Sequence, residues 1–196
     1  MRNHRPTRNV FAVLVVLLGL FATACSSVEP VTETSGTGSW LADYNLDGLD
    51  AREITERLDA LPVADRPEGL IASVEPETLV LFDNRGNETL MPLPADEFYL
   101  SFAPYLDQTH DCDFHSLTTC LGELRSQQFD VTVTEMGTNN VLVDETVSTF
   151  DSGFTGLWLP RDITATLTVE QNGHFGTVPF TTDDDAPTCI TTLHLT

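Results

Sequence analysis

The chain has 196 residues, of which nine are basic and thirty are acidic, and its formal net charge is −21 at pH 7. A surface this acidic repels nucleic-acid phosphates and anionic lipid headgroups, so we exclude both as ligands. The length suffices for one medium domain or two small ones with a sizeable core.

The first 24 residues have the composition of a lipoprotein signal peptide. Three arginines precede an apolar run of twelve residues, 10–21, and small residues then lead to Cys25. The run is too short to cross a membrane, which takes about 20 apolar residues. A basic segment, a short apolar run and small residues before the cut are the parts of an export signal. The cysteine that follows matches the lipobox of bacterial lipoproteins, in which it carries diacylglycerol.

We therefore predict a signal peptide at 1–24, lipidation at Cys25, and an extracytoplasmic, membrane-anchored location. An ordinary signal peptide with an incidental cysteine is the alternative. Residues 25–40 are polar and rich in Gly, Ser and Thr, which is typical of a flexible tether. Removal of the signal leaves six basic and thirty acidic residues, a net charge of −24.

Residues 41–78 are predicted to form a small helical part. Asp50 followed three residues later by Glu53 resembles a capping box. The apolar positions after it recur at helical spacing: Ile54, Leu58 and Leu61. The pattern predicts a helix that begins after Asp50 and is stopped by Pro62.

A second short helix is predicted over 67–74, ending before Pro76. With so few large apolar side chains, residues 41–78 make a poor core of their own. We expect this part to pack on the rest of the chain or on another copy of itself.

Residues 79–196 are predicted to form a β-rich domain. Asn84-Arg85-Gly86 is a hairpin signal between two short apolar runs, 79–82 and 88–91. Further segments have strand composition: 98–102, 129–135, 141–147, 163–169, 174–180 and 190–195. Several short strands with turns between them indicate an antiparallel β-sandwich-like domain, so the predicted fold class is α+β.

Three cysteines remain in the mature chain besides Cys25: Cys112, Cys120 and Cys189. Thiols outside the cytoplasm tend to pair, and an odd number leaves one over. The bridge could join Cys112 to Cys120, or either of them to Cys189. A leftover exported thiol points to metal binding, redox chemistry or an intermolecular bond.

The densest patch of metal-ligand side chains lies at 110–120, with His110, Cys112, His115 and Cys120. Cys189 starts the last strand and could join them in space. Thiolates favour Cu(I) and Zn, and imidazole suits Cu and Zn. The spacing matches neither a zinc ribbon nor a C-x-x-C redox motif. Spacing alone therefore leaves a metal site and a plain disulfide as alternatives.

Two rival functions compete with metal binding. The first is a structural or interaction lipoprotein whose cysteines only form a disulfide. The second is a thiol-redox enzyme, which needs an exposed thiol of low pKa. The acidic neighbours Asp111 and Asp113 raise the pKa of a thiol, so we expect the protein not to be an enzyme.

The same patch resembles the CueP family of periplasmic copper-binding, copper-resistance proteins. The resemblance is carried by FYLSFAPYLDQTHDCDFHSLTTCLGEL at 98–124. It extends to RLDALPVADRPEGLIASVEPETLVL at 57–81, GFTGLWLPRD at 153–162 and TCITTLHL at 188–195. It thus spans nearly all of the mature chain.

The resemblance implies copper as the bound metal. Soft thiolate ligands favour Cu(I), and the same ligand set leaves zinc as an alternative. It implies a metal site of three cysteines and two histidines: Cys112, Cys120, Cys189, His110 and His115. It also implies a copper acceptor such as a superoxide dismutase, and a homodimer formed through the N-terminal part. A lipid tether departs from the family pattern, because it would restrict delivery to a soluble partner.

Overall fold

The structure is a computed structural model, and it describes residues 40–138 and 140–196. The predicted signal peptide at 1–24, the lipidation site Cys25 and the tether up to residue 39 lie outside the described residues. Within the two described ranges, no helix is both long and apolar enough to pass through a membrane.

One α-helix occurs in the described residues, α1 (Ala51–Asp59), and a capping box sets its start. The Asp50 carboxylate accepts a hydrogen bond from the N–H of Glu53, and the Glu53 carboxylate accepts one from the N–H of Asp50. These bonds satisfy amides that have no partner within the helix. The predicted helix start is confirmed. Two short 3₁₀ helices, Trp40–Tyr44 and Val63–Asp65, flank α1.

Eleven strands in the described residues form three sheets. The strands are β1 (Leu70–Val74), β2 (Thr78–Asp83), β3 (Glu88–Pro92), β4 (Glu97–Phe102), β5 (His115–Ser116), β6 (Gln128–Glu135), β7 (Val141–Ser148), β8 (Thr155–Pro160), β9 (Thr164–Gln171), β10 (His174–Thr181) and β11 (Cys189–Ile190). The strand orders are β3-β2-β1-β5, β10-β9-β6-β7 and β11-β4-β8. Neighbouring strands are antiparallel except β11 and β4, which are parallel. The predicted α+β class is confirmed.

The second predicted helix, over 67–74, is wrong: Leu70–Val74 is strand β1. Its side chains alternate between buried and half-buried positions, which is the period of a strand. Gly69 precedes it with φ +78°, a left-handed conformation that a helix does not use. The antiparallel ladder to β2, with Leu70 opposite Asp83 and Val74 opposite Leu79, therefore forms in place of a helical turn.

Strand β4 is buried on both faces and separates two hydrophobic cores. One face contributes Phe98, Leu100 and Phe102 to a core between the β4–β8 pair and the inner face of β6 and β9. The opposite face contributes Tyr99 to a second core formed with α1, β1 and β2. Each fully buried large apolar side chain contributes about 1.5–3 kcal/mol. The two cores thus fix β4 from both sides.

Helix α1 packs on the sheets of the same chain, which is one of the two arrangements that the sequence predicted. Ile54 and Leu58 of α1 lie in the second core together with Leu79 and Leu81 of β2. The division of the chain into parts at 41–78 and 79–196 stays a prediction.

Replacing Ile54 by Ala should lower the free energy of unfolding by about 2–5 kcal/mol, because the fully buried side chain leaves a cavity between α1 and the sheet. Urea denaturation followed by circular dichroism would measure the change. Arg57→Ala, on the exposed face of the same helix, is the matched control and should change stability by less than about 0.5 kcal/mol. Equal effects of the two substitutions would contradict the packing described.

Candidate metal centre

Strand β11 and the loop after β4 bring two cysteines together. Cys189 begins β11 and lies opposite Ser101 in the parallel ladder with β4. The N–H of Cys189 donates to the carbonyl of Asp113 in the loop, at 3.2 Å. Cys112 and Cys189 form a disulfide across 77 residues of sequence, which is one of the three pairings that the sequence left open.

Cys120 is the free cysteine of the described residues, and it lies beside this disulfide. Its Sγ is 3.7 Å from the Sγ of Cys112. The N–H of Ser116 donates to the Cys120 sulfur over 3.4 Å, and the N–H of Cys120 donates to the carbonyl of Ser116 at 3.1 Å. This turn fixes the thiol in a half-buried position next to the bridge.

His115 lies fully buried behind the sulfur atoms. It belongs to β5, where it pairs with Val74 of β1. Its Nε2 is 2.9 Å from Oδ1 of Asp59, and its Nδ1 is 4.0 Å from the Sγ of Cys189. The ring also packs against Phe154, with 4.7 Å between centroids. One edge of the imidazole thus faces a carboxylate and the other faces sulfur.

The five predicted site residues converge in two overlapping groups. His110, Cys112 and Cys120 form one group, in which the ligand atoms lie within 4.8 Å of one another. His115, Cys120 and Cys189 form the other, within the same limit. Cys120 belongs to both groups. Their role as metal ligands stays a prediction.

His110 reaches this cluster from an exposed loop that one carboxylate organises. The Glu123 carboxylate accepts hydrogen bonds from three successive backbone N–H groups, of Leu106, Asp107 and Gln108, at 2.8, 3.0 and 3.2 Å. These bonds lower the pKa of Glu123. An ionised Glu123 therefore holds the start of the segment that carries His110.

The charge of His115 is set by two opposing effects. Burial disfavours the protonated ring, but the Asp59 carboxylate and the nearby Cys120 outweigh it and raise the pKa of His115 to about 9. In the metal-free protein at neutral pH, His115 is therefore an imidazolium beside the sulfur atoms.

The thiol of Cys120 has a lowered pKa. Burial alone would raise it, but the hydrogen bond and charge of His115, the N–H of Ser116 and the charge of Arg66 prevail. Arg66 also donates from Nη1 to the carbonyl of Cys120 at 2.9 Å. The expectation that acidic neighbours keep the thiols at high pKa is therefore wrong for Cys120, because nearer cationic groups decide its ionisation.

Sequence reasoning missed three residues around the cluster. Asp59 and Arg66 lie in the predicted helical part, and Tyr99 lies in a strand otherwise occupied by core residues. The Tyr99 hydroxyl donates to Oδ2 of Asp59 at 2.6 Å. The sequence signal for Asp59 was its place directly after the apolar position Leu58 of the predicted helix. The structure shows that Asp59 is buried beside Leu58.

The donor set fits a soft metal ion and depends on the state of the disulfide. With the Cys112–Cys189 bridge intact, Cys120 would be left as the thiolate donor, and His110 and His115 would be the available imidazole donors. Reduction of the bridge adds two thiolates within the same small volume. Thiolate and imidazole together suit Cu(I) and Zn and offer little to hard ions such as Mg²⁺ or Ca²⁺.

Comparison with known proteins identifies relatives of this chain. The family model described as periplasmic copper-binding protein CueP matches residues 53–194. The solved structure titled "Crystal Structure of S.CueP" superposes with a TM-score of 0.75 at 37% sequence identity, covering 81% of this chain and 96% of that chain. The curated proteins contain no significant match.

Alkylation of Cys120 by iodoacetamide in the bridged protein should reach half its maximal rate at a lower pH than alkylation of an ordinary exposed thiol, because the pKa of Cys120 is lowered. His115→Gln should move the midpoint upward, and the exposed His174→Gln should leave it unchanged. The rate would be measured by mass spectrometry against pH. A wild-type midpoint at or above that of an ordinary exposed thiol would contradict the electrostatics described.

Proposed function

The chain belongs to the CueP family of periplasmic copper-binding proteins, and on this premise we propose that it takes up Cu(I) through the cysteines and histidines of the cluster. The ligands would be drawn from Cys112, Cys120, Cys189, His110 and His115. The protein would sequester copper or pass it on, and so contribute to copper resistance. It would act as a binding protein and not as an enzyme.

The convergence of three sulfur atoms and two imidazoles carries this proposal. Cys189 lies 77 residues from Cys112 in the sequence, yet its sulfur joins one of the two groups of ligand atoms that share Cys120. His110 is exposed and Cys112 and Cys120 are half-buried, while Cys189 and His115 are buried. A partly open site of this kind suits an ion that must arrive and leave.

Copper is the metal that the family membership supports, and its oxidation state follows from the donors. Thiolates are soft ligands that favour Cu(I), and a thiolate site suppresses redox cycling of the bound ion. Zinc accepts the same donors and is the competing metal. The acidic surface, with thirty acidic residues, attracts either cation without selecting between them.

Full use of the site requires reduction of the Cys112–Cys189 bridge. The reduction takes two electrons and two protons and yields two thiols, so a dithiol reductant of the extracytoplasmic space must supply them. The bridged form then retains Cys120 with the histidines as a weaker site. Metal affinity is thereby tied to the redox state of this disulfide.

The location and partners of the protein complete the proposal. The lipobox-like sequence before Cys25 supports a lipid anchor at an extracytoplasmic membrane surface. A copper acceptor such as a superoxide dismutase and a homodimer formed through the N-terminal part are the partners that the family resemblance implies. A tethered protein would favour an acceptor that visits or shares the membrane surface.

One observation favours thiol–disulfide exchange as a second candidate function. The Cys120 thiol, with its lowered pKa, lies 3.7 Å from the Cys112 sulfur of the bridge. Attack by the Cys120 thiolate on Cys112 would form a Cys112–Cys120 bond and release Cys189 as the thiolate, with no net change in electrons. Proteolytic mapping of the disulfide at different pH values would detect the exchanged bridge.

The reduced mature chain, residues 25–196 with Cys25→Ser, should bind a single Cu(I) ion tightly enough to compete with a Cu(I) chelator under anaerobic conditions, because three thiolates are then available. Replacing Cys112, Cys120 and Cys189 together by Ser should abolish this binding. His174→Gln, outside the cluster, is the matched control and should bind as the wild type does.

Two results of this titration would contradict the proposal. Failure of the reduced wild type to compete with the chelator would remove copper binding and favour a disulfide-stabilised interaction protein. Retention of the affinity in the triple variant would place the metal elsewhere. Running the same titration with Zn²⁺ would rank the two metals.

The anchor is tested separately in cells that process lipoproteins. Cys25→Ser should abolish incorporation of a labelled fatty acid and shift the protein from the membrane fraction to the soluble fraction, because the acyl chains provide the attachment. Immunoblotting of the two fractions would measure the shift. An unlabelled wild-type protein in the soluble fraction would overturn the lipoprotein assignment and leave copper binding unaffected.

A further inference from the structure

Asp59 occupies an unusual position for a carboxylate. It is the last residue of α1, and its side chain is fully buried. Backbone carbonyls give the C-terminal end of a helix a partial negative charge, so an acidic side chain there is electrostatically unfavourable. Burial adds a desolvation cost unless the carboxylate is well hydrogen-bonded. Folding of α1 alone gives no reason for an acid at this position.

The partners of Asp59 account for its presence. Oδ2 accepts a hydrogen bond from the Tyr99 hydroxyl at 2.6 Å, and Oδ1 lies 2.9 Å from Nε2 of His115. Tyr99 projects from β4 and His115 from β5, so the carboxylate joins three elements. The pKa of Tyr99 is raised well above its usual value by its burial and by the Asp59 charge, so the hydroxyl remains a donor. Oδ1 is therefore available to accept a hydrogen bond from His115.

This arrangement decides which nitrogen of His115 can bind a metal ion. An ionised carboxylate only accepts hydrogen bonds, so Nε2 must carry a proton in either charge state of the ring. Nδ1 is then the nitrogen left for coordination, and it is the one that faces Cys189 and Cys120. A carboxylate behind a histidine ligand is a recurrent way to fix its tautomer, its orientation and its basicity.

We propose that Asp59 is a positioning residue of the metal centre, which holds His115 with Nδ1 turned toward the sulfur atoms. The inference rests on the proposed copper binding and deepens it in two respects. It assigns His115, through Nδ1, as the histidine that completes the tight site. It also makes the end of α1 a part of the centre, although α1 supplies no ligand.

His110 differs from His115 in its exposure and in the partners of its ring. Its side chain is exposed, and its ring contacts Phe154 at 6.0 Å between centroids. Within residues 40–138 and 140–196, no carboxylate hydrogen-bonds to a ring nitrogen of His110. Within the described residues, no carboxylate therefore fixes which nitrogen of His110 carries the proton. His110 would serve arrival or departure of copper, while His115 sets the affinity.

The test compares Asp59→Asn with Tyr99→Phe in the reduced mature chain. A carboxamide can donate to Nε2 as well as accept from it, so Asp59→Asn removes the selection of the tautomer with little change in volume. Cu(I) affinity, measured by chelator competition, should fall about 10–100-fold in Asp59→Asn. Tyr99→Phe retains the carboxylate and should lose less affinity than Asp59→Asn.

Two readouts separate positioning from a role in folding. In the Cu(I)-loaded wild type, long-range ¹H–¹⁵N spectra should show a proton on Nε2 of His115 and coordination through Nδ1. In the metal-free protein, the Nε2 proton should exchange slowly with water in the wild type and in Tyr99→Phe, and lose this protection in Asp59→Asn. A merely structural role would change the thermal midpoint and leave these signals unchanged.

A double-mutant cycle tests whether Asp59 acts through His115. In the His115→Gln background, Asp59→Asn should change the affinity by no more than about twofold, since the residue it positions is gone. A loss of Cu(I) affinity in His115→Gln without a loss in Asp59→Asn would overturn this inference and leave the proposed copper binding intact. Unchanged Cu(I) affinity in His115→Gln would also overturn it, because the metal site would then consist of the thiolates and His110.

The coordination and protonation of His115 in the Cu(I)-loaded wild type test the positioning role without any variant. Copper on Nε2 of His115, or a proton on Nδ1 in the loaded protein, would refute the positioning role even if Asp59→Asn failed to fold. Failure of the proposed function has a different signature, because the reduced wild type would then not bind Cu(I) at all.

Discussion

Strand β4 is the element on which both the fold and the metal centre depend, because its two faces are buried in different cores. Phe98, Leu100 and Phe102 fix it in the larger core, and Tyr99 fixes it in the core beneath α1. The same strand holds Cys189 through the parallel pairing with β11 and presents Tyr99 to Asp59. A strand locked from both sides cannot shift without disturbing the cluster. The positions of Cys189 and Tyr99 therefore depend on the hydrophobic packing of β4.

Local charge around Cys120 opposes the charge of the chain as a whole. The protein carries thirty acidic residues, yet the groups nearest the thiol are His115 and Arg66. Interactions between exposed charges are screened over about 10 Å at ordinary ionic strength, whereas buried groups act at short range and low dielectric. Arg66 adds a second effect, because its Nε and Nη2 are buried without a hydrogen-bond partner in the described part of the chain. The charge of Arg66 favours a thiolate at Cys120, and burial lowers the pKa of Arg66 itself.

The sequence was sufficient where a structure depends on neighbouring residues. The capping box at Asp50, the hairpin at Asn84-Arg85-Gly86 and the strand composition of 129–135 all act within a few residues, and each was confirmed. Strand β1 was mistaken for a helix because its ladder partner lies beyond Pro76. The disulfide pairing and the Asp59–His115 contact, across 56 residues, depend on how distant segments meet, and no local pattern encodes them. The ligand-type residues at 110–120 and Cys189 were visible in the sequence, and the family resemblance marked them as one metal site, but neither indicated the Asp59 carboxylate behind them.

Copper binding by the proposed cysteines would make metal affinity and the redox state of the disulfide interdependent. If Cu(I) requires the thiolates of Cys112 and Cys189, it binds the dithiol form in preference to the bridged form, and mass action then stabilises the dithiol. Each tenfold rise of free Cu(I) above the dissociation constant would favour the dithiol by about 1.4 kcal/mol and raise the midpoint potential of the bridge by about 30 mV. Copper would thereby protect its own site from oxidation, and loss of copper would let the bridge close. The Asp59–His115 contact does not involve the sulfur atoms of the bridge, so we expect it to persist on reduction, and the site would then be rebuilt by forming thiolates and not by refolding.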